Sequence, residues 1–340
     1  VGGVDVWTDV MITPGGVVYA TFDSDGIPNR GIFRSTDGTS WTNITPTTGF
    51  PAVWGRTVLG YTPSNENVIY AFIDNGGPAF LWRYTHDSVS PAWANLTNGL
   101  PLTSGSVGGI NTQGGYNMVI KVHPSNPNII FVGGTNLYRS TNGFTSRTGT
   151  AWVGGYSPAN NVSVYPNQHP DQHALLFYPS NPQRALSGND GGVQFADNIL
   201  STNAGILPVA WTSRNNGYLT TQPYAVSFDP SGTSDHLMAG FQDNGTWFTS
   251  SSSLTVPWGE AFTGDGSYNQ FADNGVTRYV SSQGGNIYRL NYPAADAPAG
   301  GYSSFTRVTP TGATGFAFIA PFTLDPNNDN IMYLPAGGRI

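Results

Sequence analysis

Hydrophobic and polar positions along this chain change over in short runs, and no window sustains the 3.6-residue spacing of an amphipathic helix. Instead one phrase recurs: a strand, a tight Pro/Asn/Gly turn, then a second strand. Its copies are TPGGVVYA from Thr13, TPSNENVIYA from Thr62, HPSNPNIIFVG from His123 and YPSNPQRALSG from Tyr178. DPSGTSDHLMAG from Asp229 and DPNNDNIMYL from Asp325 follow the same plan, and a weaker copy, ADNGVTRYV, starts at Ala272. About 13 to 18 residues beyond each turn comes a third apolar run: GIFRS from Gly31, FLWRY from Phe80, NLYRS from Asn136, GVQFA from Gly192, GTWFTS from Gly245 and NIYRL from Asn286. A fourth element is opened by an aromatic residue, at Trp41, Trp93, Trp152, Trp211, Trp258 and Phe305.

The chain therefore reads as all-β, with seven four-stranded units of roughly 50 residues, the length and strand count of propeller blades. The expected units are 10–44, 57–96, 117–155, 174–214, 224–261, 268–308 and 316–340. The last copy ends at a clipped third strand, while Trp7 stands in fourth-strand register with no earlier strands before it. The expectation is that residues 4–10 complete the seventh unit and close a single ring, which removes exposed sheet edges.

Composition agrees with this plan and excludes several functions. The 340 residues include 44 Gly and 25 Pro for turns, and 9 Trp, 17 Tyr and 18 Phe to fill a core. Net charge is −7 and Lys121 is the single lysine, so no basic patch is present to bind nucleic acid. No apolar run reaches membrane-spanning length. With no cysteine there is neither a disulfide framework nor a thiolate metal site. Residue 1 is valine, which leads us to expect a processed or partial product with further domains of the same chain as candidate partners. Asn-x-Ser/Thr sequons begin at Asn43, Asn95, Asn161 and Asn244, as chance allows in so Asn/Thr-rich a sequence.

The segment RSTDGTSW (34–41) resembles the Asp-box of the bacterial neuraminidase repeat, one residue short, and RSTNGF from Arg139 resembles a second copy with Asn142 in the Asp position. The phrases QHALLFYPSNP, SGNDGGV, GFQDNGT and GDGSY resemble secreted bacterial Asp-box propellers of the sortilin-like and xyloglucanase-like superfamily. The resemblance covers nearly the whole chain. It implies a propeller, a secreted or cell-surface bacterial setting, and a structural turn at Ser35, Asp37, Gly38 and Trp41, with Asp37 capping the turn itself. It implies no single activity, because this fold hosts many.

Propeller loops divide between two faces. The turns between second and third strands, together with the unit-to-unit connections, gather Asp23, Asp25, Asp74, Asn189, Asp190, Gln242, Asp243, Asn244 and Gln283 with Arg56, Gln222, Asp265 and the trio His169, Asp171, His173. This acidic face is the expected ligand face. Asp-Gly and Asn-Gly pairs also serve tight hairpins for conformational reasons alone. The trio stands at alternate positions, so an extended segment would turn all three side chains one way. It is open to three readings: a divalent metal site (zinc or another ion), a catalytic or ligand-contacting corner, or a pin for the connection. Trp54 and Tyr116 are candidate platforms for sugar rings.

Sialidase chemistry is disfavoured, because only Glu66 and Glu260 are available as glutamates and four arginines (Arg34, Arg83, Arg139, Arg289) hold one repeated third-strand position. A xyloglucanase-like mechanism would need paired aspartates. The resemblance implies Asp23, in YATFD (19–23), as one of them, with Asp243 and Asp265 as further candidates. The leading expectation is a module that binds a glycan or extracellular protein, or serves as a scaffold; the alternative is glycoside hydrolysis.

Overall fold

The computed structural model describes residues 8–25, 29–102, 109–160, 162–202, 207–217, 221–232, 234–253 and 255–337. Within them the chain is all-β, with three single 3-10 turns as the only helical elements. Sheet 1 runs β1 (Thr8–Ile12), β2 (Val18–Phe22), β3 (Gly31–Ser35), β4 (Thr42–Asn43). Sheet 2 runs β5 (Thr57–Thr62), β6 (Asn65–Ile73), β7 (Phe80–Thr85), β8 (Ala92–Asn95), and sheet 3 runs β9 (Val119–His123), β10 (Asn126–Gly133), β11 (Leu137–Ser140), β12 (Thr150–Gly154). Sheet 4 holds β13 (Gln172–Tyr178), β14 (Asn181–Asn189), β15 (Gly192–Ala196) and β16 (Trp211–Ser213). Sheet 5 holds β17 (Pro223–Phe228), β18 (Leu237–Phe241), β19 (Thr246–Thr249) and β20 (Gly259–Phe262). Sheet 6 holds β21 (Asn269–Ala272), β22 (Thr277–Ser282), β23 (Asn286–Asn291) and β24 (Ser304–Arg307); β25 (Thr323–Asp325) and β26 (Asn328–Tyr333) form sheet 7. Each of the first six is an antiparallel meander with its strands in chain order.

The turns follow from local hydrogen bonding. Two residues past the third strand, a short polar side chain accepts an amide further along its own turn. Asp37 Oδ1 accepts from Thr39 and Ser40 at 2.8 and 2.7 Å, and Asp87 Oδ1 from Val89 and Ser90 at 2.7 and 3.1 Å. Asn198 and Ser251 accept from Leu200 and Ser253 at 3.0 and 3.1 Å. Ser35 Oγ accepts the Gly38 N–H at 2.9 Å, and Ser140 with Asn142 repeats the arrangement. Those bonds hold the Asp37 carboxyl well below the usual carboxylate range, so the side chain stays a charged acceptor. At the exit of the fourth strand, Thr45, Thr97, Asn215 and Thr309 accept the N–H of Ile32, Leu81, Val193 and Ile287 with their side-chain oxygens. The first two complete Asn-x-Thr turns, in which Asn43 and Asn95 accept the threonine N–H at 3.0 and 2.9 Å.

The chain divides into two compact units, Val1–Tyr218 and Leu219–Ile340. In the first, successive sheets pack face to face over three apolar clusters. Ile69, Ile73 and Trp82 lie between sheets 1 and 2; Phe72, Leu81, Ile120 and Ile130 between sheets 2 and 3; Phe131, Leu137, Leu175 and Ala196 between sheets 3 and 4. Each fully buried large aliphatic or phenyl side chain contributes about 1.5–3 kcal/mol. Polar staples cross the same seams. Trp93 Nε1 donates to Ile44 O at 2.5 Å, Trp211 Nε1 to Val153 O at 2.8 Å, and Arg139 to the Ile199 and Ser201 carbonyls. First strands neighbour first strands, β1 with β5, β5 with β9 and β9 with β13. In the second unit, Met238, Phe248, Phe271 and Leu290 fill the seam between sheets 5 and 6, and Ile287, Phe322 and Leu334 that between sheets 6 and 7.

One expectation needs correction. Residues 8–10 do not form a closing strand of the seventh unit; they pair with residues 20–22 as the first strand of sheet 1. Residues 4–7 and 338–340, which carry the rest of that expectation, lie outside the described residues, as does Asn161.

Candidate functional site

In sheet 4 the β14–β15 hairpin turns through Asp190 and Gly191, with Asn189 paired to Gly192. Both glycines are required. A Cβ on Gly191 would run into His169, and Gly192 has φ +103° with Asn215 pressed against it. Asn189 provides the turn's cap, accepting the Gly191 N–H on Oδ1 at 3.1 Å. Below it a buried polar ladder fixes the hairpin: Asn189 Nδ2 donates to Gln168 Oε1, Gln168 Nε2 to Ser187 Oγ at 2.9 Å, and Ser187 Oγ to Gln172 Oε1 at 3.2 Å.

With the turn already capped, the Asp190 carboxylate is presented to other partners. Its Oδ1 lies 2.5 Å from His173 Nε2, and its Oδ2 accepts from the Tyr116 hydroxyl at 3.3 Å. Tyr116 and His173 meet edge to face, with centroids 5.0 Å apart at 82°. Tyr116 is 46% exposed. Its loop is held by Arg56, whose Nη1 donates to the carbonyls of Gly115 and Tyr116 at 2.9 and 3.0 Å. The result is an exposed aromatic ring and imidazole beside a carboxylate whose side chain is 11% exposed, each held by its neighbours.

The trio does not share one face. Asp171 has φ +65°, a left-handed conformation that aspartate tolerates, and this kink ends the alternation before β13 begins. Its N–H donates to Thr135 O at 3.0 Å and its buried carboxylate accepts from Asn117 Nδ2 at 2.5 Å. His169 Nδ1 lies 3.1 Å from Pro170 O, and His173 leans on Asp190. The two histidines and Asp171 therefore do not converge as a ligand set among the described residues. What gathers instead is Asp171 and Asp190, with carboxylate oxygens within 4.8 Å of one another.

Other expected residues have structural duties. Trp54 is a correction: only 7% exposed, its ring packs edge-on against Phe50 and its Nε1 donates to Phe22 O at 3.0 Å, so it offers no platform. Asp23 is 3% exposed and accepts the Asp25 N–H at 3.0 Å, which removes it from any open groove. Asp74 is buried and takes the Thr112 hydroxyl at 2.5 Å. In the second unit Asp265 Oδ1 accepts the N–H of Asp243, which has φ +56°, at 3.0 Å, and Gln283 Oε1 accepts the Asp265 N–H at 3.3 Å. Gln242 accepts from Asn244 Nδ2 through its own carbonyl at 2.9 Å. Trp41 is 42% exposed beside its turn. Asn117, which no motif singles out, donates to Asp171, and Gln113 Oε1 accepts from the same Asn117 Nδ2 at 3.2 Å.

No family model matches the chain, and no curated protein matches it. Among solved structures it is similar to a GH74 xyloglucanase from Xanthomonas campestris, at 12% identity and TM-score 0.38, over 99% of this chain and 51% of that one. A protein from Lactobacillus plantarum aligns at 13% identity and TM-score 0.33, over 92% of this chain and 86% of that one. Raptor from Chaetomium thermophilum aligns at 12% and 0.37, over 95% and 26%. The chain spans about half the length of the xyloglucanase it matches.

Proposed function

We propose that the chain is a secreted β-propeller binding module that takes a glycan at Tyr116, His173 and Asp190. The observation that carries this reading is that Asn189 already caps the hairpin, so Asp190 is not needed for the turn, yet it is held between an imidazole and an exposed phenol. A half-exposed aromatic ring beside a fixed acceptor suits a sugar, whose C–H face stacks while its hydroxyls donate. Face-to-face meander sheets whose first strands neighbour one another support the propeller, and the turn motifs' resemblance to secreted Asp-box propellers supports an extracellular role. Hydrolysis by paired aspartates is the weaker reading. Asp23 is buried, Asp265 is spent on a backbone amide, and Asp171 beside Asp190 is 3% exposed, whereas a glycosidase pair must flank an open bond.

A glycan-array and polysaccharide-retention screen on the intact protein tests the proposal. Retention of at least one glycan, lost in Tyr116→Ala and kept in an Asp23→Ala, Asp243→Ala double variant, is the expected result. Release of reducing ends that disappears in the double variant would instead establish hydrolysis, and no retention by the intact protein would end the glycan reading.

A further inference from the structure

The sequence holds six Asn-Gly pairs, at 75–76, 98–99, 142–143, 216–217, 244–245 and 274–275. Each is a latent reaction, because glycine has no Cβ to keep its N–H away from the carboxamide carbon of the preceding side chain. The glycine nitrogen attacks only when its N–H is not already donating and the chain has room to bend into a five-membered ring. The fold closes most of these pairs. The Gly76 N–H donates to Asp74 Oδ2 at 3.3 Å, that of Gly99 to Leu96 O at 2.9 Å, and those of Gly143 and Gly245 to Asn128 O and Gly264 O at 2.8 Å each. Asn142 is tied down further, its Nδ2 donating to Ser146 Oγ and Thr148 O at 2.8 and 2.6 Å. Gly275 is buried in a 3-10 turn, where a Cβ would stand 3.0 Å from Asp229 Oδ2 and 3.1 Å from Ala295 Cβ.

Asn216–Gly217 is different. Both residues are exposed, and among the described residues neither the Asn216 side chain nor the Gly217 N–H has a hydrogen-bond partner. A Cβ built on Gly217 would meet nothing within 4 Å, so the surroundings leave room for a ring. From this contrast we infer that Asn216 is a site of spontaneous deamidation. Gly217 N bonds to Asn216 Cγ, the Cγ–Nδ2 bond breaks, and the side-chain nitrogen leaves as ammonia with the proton lost from Gly217 N. Water then opens the cyclic imide. Attack at Cγ leaves aspartate at position 216; attack at the main-chain carbonyl leaves isoaspartate, whose backbone is one methylene longer. Either product adds one carboxylate, which takes the net charge from −7 to −8. The lengthened link directly follows Asn215, which clamps the Asp190 hairpin by donating to Gly191 O at 2.8 Å and accepting the Val193 N–H at 2.9 Å.

The test is peptide mapping of the intact protein held at mildly alkaline pH, where amide attack is faster, beside the same protein unfolded in guanidinium chloride. Chymotryptic cleavage after Trp211 and Tyr218 isolates the pair, and electron-transfer fragmentation tells isoaspartate from aspartate. A hydrogen bond that must first break slows attack by roughly tenfold. The folded protein is therefore expected to convert Asn216 faster by about that factor than Asn75, Asn98, Asn142, Asn244 or Asn274, and unfolding to bring the six rates together. Isoelectric focusing of the folded protein should show an acidic species that accumulates with time and is absent from Asn216→Gln, whose longer side chain closes a ring far more slowly. Conversion of another pair ahead of Asn216, or a folded pattern that matches the unfolded one, overturns the proposal. So does an acidic species that persists in Asn216→Gln, or a folded protein that stays unmodified while its unfolded chain converts.

Discussion

Arg278 gives the sharpest energetic prediction. It is the second residue of β22, is 0% exposed, and stacks between Phe248 of sheet 5 and Tyr292, with centroid distances of 3.5 and 3.8 Å. Its Nη2 donates to the Ala295 and Ala297 carbonyls at 2.7 and 3.0 Å, while Nε and Nη1 have no partner. Burial pulls the guanidinium below its usual pKa, and Tyr292 opposes the shift. Two charge-assisted hydrogen bonds and two desolvated cation–π contacts sum to roughly 7–10 kcal/mol gross. Desolvating the cation offsets several kcal/mol of that. Arg278→Met removes the buried charge along with its contacts and fills most of the volume, so its expected cost is about 2 kcal/mol. Arg278→Lys keeps a buried charge but cannot span both rings and both carbonyls, so about 4 kcal/mol is expected. Urea unfolding followed by tryptophan fluorescence measures both. If lysine proves milder than methionine, the charge itself is what holds this seam, and the rings and carbonyls matter less than these magnitudes require.

Two further outcomes follow from buried groups. Trp54→Ala removes a ring packed between sheets 1 and 2 and is expected to cost about 3–5 kcal/mol, while Trp54→Phe leaves glycan retention intact; loss of retention at full stability would return Trp54 to the ligand face. His123 donates through Nε2 to Pro182 O at 3.1 Å and accepts the Ser125 N–H on Nδ1 at 3.3 Å, and burial pulls its imidazole below its usual value. Above about pH 6.5 both states are neutral there and nothing is gained or lost. As pH falls below that value the unfolded chain takes up the proton first, so stability declines toward the folded pKa. His123→Asn should flatten that acid-side slope; an unchanged slope would show that His123 is protonated as readily in the fold.

The meander sheets were legible because the strand–turn–strand phrase is local and its turn chemistry is carried by residue type. The amide acceptor two places past the third strand in sheets 1, 2, 4 and 5 was legible only at Asp37. Asp87, Asn198 and Ser251 perform the same task, but Asp, Asn and Ser are interchangeable as acceptors and so leave no shared letter. Likewise Asn43 and Asn95 read as chance sequons, yet they build the fourth-strand exits. The trio misled because alternation presumes extended backbone throughout, and a single positive φ at Asp171 cancels it. The partnership of Tyr116 with Asp190, 74 residues apart, depends on two sheets meeting and has no local signature.

Calorimetry on the intact protein and its retained glycan, compared with Asp190→Ala at matched unfolding midpoint, bears on the proposed site without intermediaries. At least a tenfold loss of affinity is predicted, with no change in stability. Undiminished affinity in Asp190→Ala would contradict the assignment of Tyr116, His173 and Asp190 as the ligand site.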